Sequence, residues 1–154
     1  MSATVKIESE QERDFVAAIS RVVDWYYKLP RDFADVAHLM SARRSLSCNL
    51  ALMASQIGQL YEQKNATETL RKAAHSEALR DAMEKPGTSA ASAKIIADNS
   101  ILNELARESQ ADTEYRRGWI LYESWKNVCD VMSQHVSNLK AERHSEYTGQ
   151  GSQH

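Results

Sequence analysis

Glycine and proline are scarce in this chain: five Gly and two Pro among 154 residues. An all-β sandwich or barrel needs a turn residue every few positions, so that class is excluded at the outset. Cysteine is equally sparse, at two residues, Cys48 and Cys129. Two cysteines cannot build a disulfide framework, and both are expected as free thiols. Neither sign of charge dominates: 19 Lys+Arg stand against 21 Asp+Glu, a formal net charge of −2. A protein that coats polyanions by bulk charge is therefore excluded, and any nucleic-acid role must use local patches. No apolar run approaches the ~20 residues of a membrane span. The segment Met1–Ser9 lacks the basic-then-apolar layout of a signal peptide, so the expected compartment is the cytoplasm.

What is present is helical spacing. Phe15, Ile19, Val22, Tyr26 and Leu29 recur at steps of three and four, the stripe of a helix with one buried face. Glu8, Glu10, Glu12 and Asp14 near its start complement the positive end of the helix dipole. Pro30 breaks the ladder and predicts a sharp corner. A second, longer helix carries a coiled-coil-like seam of Leu39, Ala42, Leu46, Leu50, Met53, Ile57 and Leu60. An Ala-rich stripe of Leu70, Ala74, Ala78 and Ala82 follows it. The run Lys85-Pro86-Gly87-Thr88-Ser89 is the clearest breaker, with Thr88 or Ser89 able to cap the next helix. The third helix carries Tyr115, Trp119, Tyr122, Cys129, Met132, Val136 and Leu139, with Trp125 and Val128 in the step between.

These spacings predict helices over about 8–29, 32–84 and 89–142 in one helical domain (about 1–144), with a disordered polar tail over about 145–154. The expected fold is all-α: a long antiparallel helical hairpin with a shorter N-terminal helix on its open end. Residues facing across the Pro86-Gly87 turn then carry numbers summing to about 175, which sets polar 61–72 against polar 103–114. The same rule sets Gly58 opposite Trp119, where a missing side chain makes room for an indole. Breaks near Gly58 and Gly118 would instead give a compact bundle.

Among surface positions, Arg43 and Arg44 are distinctive. The nearest acids are Asp35 before them and Glu62 after, so both are candidates for sequence-blind, salt-sensitive phosphate contacts. Lys28 and Arg31 at the corner join them, as do Arg71 and Lys72, although Glu68 and Glu77 lie close to the latter pair. Tyr115, Trp119, Tyr122 and Trp125 are read first as core packing, but they concentrate more apolar area than a two- or three-helix layer can hide on both faces, which predicts self-association. Catalytic chemistry finds no support: there is no phosphate-binding loop, dinucleotide fingerprint or nucleophile elbow. His38 and His135 are expected near each other, but with Asp35 alone beside them they make a poor metal site. No cofactor and no metal are expected.

The order of features resembles a known family. A short amphipathic helix ends in WYYKL (Trp25–Leu29), followed by ARRSLSCNLALM (Ala42–Met53). After a Gly-containing turn come ADTEYRRGWILYESWKNVCDVM (Ala111–Met132) and a basic end, SNLKAER (Ser137–Arg143). This pattern resembles the phage recombination-mediator family typified by UvsY, over residues 15–143. The resemblance implies a ring-shaped homo-oligomer that binds single-stranded DNA and helps load a RecA-like recombinase onto strands covered by single-strand-binding protein. By position, Arg43 and Arg44 correspond to the family's basic pair. Its further basic residues have no counterpart here, where Cys48, Asn49 and Ala51 stand. Two other functions fit the same residues: a structural or adaptor coiled-coil protein such as a phage assembly factor, or an inhibitor that binds the protein surfaces of a nucleic-acid machine.

Overall fold

The computed structural model describes the backbone of residues 2–149 and the side chains of residues 14–147. Four helices make up the described residues: α1 (Ser2–Tyr27), α2 (Val36–Met83), α3 (Ala90–Ser100) and α4 (Leu102–Gly149). No strand occurs among them. The fold is the all-α helical hairpin, with the long helices α2 and α4 packed together. Gly58 and Gly118 interrupt neither helix, so the compact-bundle alternative is set aside.

Local chemistry explains the boundaries. α1 begins at Ser2 rather than near residue 8, so Glu8, Glu10 and Glu12 fall beyond its first turn. Their side chains lie outside the described residues. Pro30 begins the expected corner, and α2 starts later than the expected residue 32. The Phe33 amide donates to the Pro30 carbonyl at 3.1 Å, closing a turn, and α2 starts at Val36. Asp35 is its cap: the carboxylate accepts from the His38 amide at 3.0 Å, satisfying one of the open N–H groups of the first turn. At the far end Thr88 N–H donates to Lys85 C=O at 3.3 Å. Pro86 and Gly87 fill the middle of that turn, and Gly87 has φ +75, the Pro-then-Gly order of a type II turn. Ser89 then caps α3, its hydroxyl accepting from the Ser92 amide at 3.2 Å.

Two boundaries correct the sequence reading. The single third helix is broken at Ile101, which sits at φ −104, ψ 16 between α3 and α4. Ser100 Oγ–H donates to the Ala97 carbonyl at 2.8 Å beside the break. The Leu105 amide reopens the ladder by donating to Ile101 C=O at 3.0 Å. The expected disordered tail is helical as far as Gly149, while residues 150–154 lie outside the described residues.

The chain forms two compact units. The first comprises residues up to Ser55 together with those from Leu121 onward. Its core is Phe15, Ile19 and Val23 from α1, Leu39, Leu46, Leu50 and Met53 from α2, and Trp125, Val128, Met132 and Val136 from α4. On α4 the buried row therefore runs through Trp125 and Val128, with Cys129 and Tyr122 at its margin. Val36, Leu39 and Val136 form a cluster against which Trp25, Tyr26, Leu29, Phe33 and Leu139 pack. Trp25 stacks on His38 with ring centroids 4.9 Å apart and meets Phe33 edge-on at 5.9 Å. His135 instead approaches Tyr26, whose hydroxyl lies 3.4 Å from Nδ1. The two histidines are thus engaged separately, and no metal-binding cluster occurs among the described residues.

The second unit runs from Gln56 to Ile120. Its interior is built mostly of small residues, Ala82, Ala93, Ala97 and Ala111 with Ile57 and Ile101. Such a core buries little area per residue, and ion pairs take up much of the contact. Lys64 meets Asp112 at 2.9 Å, Arg71 meets Glu108, and His75 meets Asp98 at 3.0 Å. Each pair follows the antiparallel numbering derived from the turn. Leu70, expected in the Ala-rich stripe, is 64% exposed.

The glycines reverse the sequence expectation. A Cβ at Gly58 would meet nothing within 4 Å, so no indole occupies that space. The crowded glycine is Gly118, where a Cβ would lie 3.2 Å from Leu60 Cδ1 and 3.7 Å from Ile57 Cγ1. Gly58→Ala should therefore raise stability by about 0.5–1 kcal/mol, the ordinary helix-interior gain. Gly118→Ala should gain less, because Leu60 must shift to admit the methyl. Urea midpoints of the two variants check the order.

Candidate nucleic-acid interface

The first half of α2 carries no Asp or Glu between Val36 and Tyr61. Arg43 and Arg44 are its only Lys or Arg residues, so they dominate the charge of that stretch. Both are exposed, and neither has an acidic partner among the described residues. Met40, Ser41, Arg43, Arg44, Ser47 and Cys48 line an open concavity of 460 Å³. Two guanidinium groups, two hydroxyls and a thiol thus share one surface of a helix. Guanidinium groups bind phosphate oxygens through paired N–H donors, and serine hydroxyls add further donors.

Arg43 also reaches back toward α4. Its guanidinium interacts with the half-buried Cys129 thiol. Burial pushes the Cys129 pKa above the ordinary thiol value, Arg43 opposes that shift, and Asp130 adds to it. In a Cys48→Ser background, Arg43→Ala should move the pH midpoint of Cys129 alkylation further upward. The rate of thiol modification against pH reads this directly. Cys48, exposed at the concavity, should react first in the unmodified chain.

The remaining candidates divide. Lys28 and Arg31 are exposed at the corner after α1. Arg71 and Lys72 are engaged: Arg71 is half-buried against Glu108, and Lys72 pairs with Glu68 one turn away on α2. Those two charges are balanced by carboxylates and differ in kind from Arg43 and Arg44. The Lys72 contact holds the Glu68 carboxyl below its usual range.

The expected interface aromatics also separate. Trp125 is only 9% exposed and belongs to the buried row of α4, which corrects its reading as a surface anchor. Trp119 is 45% exposed, and Tyr115 and Tyr122 are half-buried. Sequence reasoning passed over the exposed aliphatic group Ile95, Ile96, Leu102 and Leu105 on α3 and the start of α4. The signal was available: α3 has apolar residues on both of its faces, and Ala93 and Ala97 occupy the buried one. Comparisons with family models, with curated proteins and with solved structures return no match for this chain. No described helix is long and apolar enough to cross a membrane.

Proposed function

We propose that this chain is a non-enzymatic, self-associating protein that binds single-stranded DNA through the Arg43–Arg44 surface of α2 and acts as a recombination mediator, helping to load a RecA-like recombinase. The observation that carries the reading is the exposed arginine pair on a carboxylate-free stretch, beside Ser41 and Ser47 in one concavity. Those donors suit phosphate oxygens and read no base, which matches a protein that must accept any sequence. The segment resemblance to the UvsY-typified family supports the mediator role.

Self-association is supported by exposed aliphatic side chains on α3 and the start of α4. Ile95, Ile96, Leu102 and Leu105 supply an aliphatic surface for a second copy. Repeating one arginine pair in each copy multiplies weak phosphate contacts into useful affinity. The same aliphatic surface favours the second reading, an adaptor that works by protein contacts alone.

Sedimentation of the protein, alone and with a labelled unpaired oligonucleotide, tests the proposal. The expected result is a species heavier than one chain that carries the label. A monomer at high concentration, with the oligonucleotide sedimenting by itself, would contradict it. A heavy species that leaves the oligonucleotide behind would favour the adaptor.

A further inference from the structure

The second unit contains a group of rings and cations that the arginine-pair reading does not use. Tyr61 of α2 lies 5.5 Å from Tyr115 of α4, centroid to centroid, and Tyr115 lies 6.5 Å from Trp119 one turn further along. Tyr61 is 49% and Trp119 45% exposed, so the row of three rings opens to solvent at both ends. Lys64 Nζ sits 5.3 Å from the centre of the Tyr115 ring. Lys64 and Arg116 share a single carboxylate, Asp112, at 2.9 and 2.7 Å. That acid holds both cations beside the rings, and the Arg116 side chain is 71% exposed. Glu114, the nearest other acid on α4, accepts from Gln110 at 2.9 Å.

An aliphatic patch is covered well by another aliphatic surface. Tilted, half-exposed rings flanked by cations are matched better by flat, electron-rich bases joined through phosphates. We infer that Tyr61, Tyr115 and Trp119, with Lys64 and Arg116, form a stacking platform for unpaired nucleotides: bases lie on the rings, and the phosphates between them meet the cations. This inference rests on the proposed single-strand binding and adds to it a site that contacts bases rather than backbone alone. Stacking of this kind tolerates any base, because every base presents a flat face.

The test compares an oligothymidylate with an abasic strand of equal length, both titrated with the full chain. Affinity and tryptophan fluorescence are read together. Wild type should bind the thymidine strand about 10-fold more tightly than the abasic one and show quenching on binding. Trp119→Ala should lose both the preference and most of the quenching, whereas Trp119→Phe, which keeps a ring, should retain most of the preference. Equal affinity of wild type for the two strands would overturn the platform while leaving phosphate binding by Arg43 and Arg44 in place. A Trp119→Ala protein that keeps the base preference but sediments as a smaller species would overturn it too, assigning the rings to a second copy. Binding of neither strand would remove both readings.

Discussion

Leu39→Ala should lower the stability of the chain by about 2–5 kcal/mol, the range for emptying a fully buried leucine site. Leu39 has no exposed surface and lies between Val36 and Val136, in the cluster where the corner residues Trp25, Leu29 and Phe33 also pack. Removing its isopropyl group withdraws packing from α1, α2 and α4 at once. The surrounding rings are stiff and large, so they cannot close over the space, which places the cost toward the upper part of the range. Leu52, on the same helix but 58% exposed, supplies the control, and Leu52→Ala should change stability by no more than about 0.5 kcal/mol. Urea unfolding followed by tryptophan fluorescence measures both. Trp25, stacked on His38 beside the altered site, should report the loss.

The second large effect is on binding. Arg43→Ala/Arg44→Ala should weaken association with an unpaired oligonucleotide about 10-fold or more at low salt. It should also reduce the slope of log affinity against log salt by about 1.4, or about 0.7 for each single-strand phosphate that no longer meets an arginine. Both side chains are exposed and hold no described ion pair, so their removal should leave the unfolding midpoint close to wild type. Arg71→Ala makes the contrast. Its guanidinium is held by Glu108, and its removal should show in the stability of the second unit rather than in the salt slope. A variant set that loses affinity equally at Arg71 and at Arg43–Arg44 would mean that diffuse charge, not the carboxylate-free stretch, governs binding.

The fold was legible where periodicity and punctuation agree. A three–four spacing over dozens of residues admits few structures, and Pro86-Gly87 supplies the type II turn that folds α2 back toward α3 and α4. Once that turn is located, the antiparallel numbering brings Lys64 to Asp112 and Tyr61 to Tyr115 without further information. Finer features depended on geometry that spacing does not carry. Ile101 breaks the last helix without Pro or Gly, so no punctuation in the sequence marks it. α2 begins after the Asp35 cap rather than at residue 32, because the Pro30 carbonyl closes a turn that carries the chain on to Asp35.

The candidate site was legible in charge and less so in exposure. Arg43 and Arg44 stand out because α2 has no acid nearby, a fact of sequence alone. Which aromatics are surface residues is decided by helix rotation. Trp125 and Trp119 differ by six positions, enough to turn one indole inward and leave the other half-exposed. Gly118 rather than Gly58 is the crowded glycine for the same reason: facing positions can be counted along the chain, but the side of the helix that crowds its neighbour cannot.

Fluorescence anisotropy of a labelled oligothymidylate, titrated with the wild-type chain from low to physiological salt, bears most directly on the proposed function. Saturable binding is expected at low salt, with a logarithmic affinity that falls in a straight line as log salt rises. Anisotropy that stays flat at the lowest salt, or an affinity indifferent to salt, would contradict it.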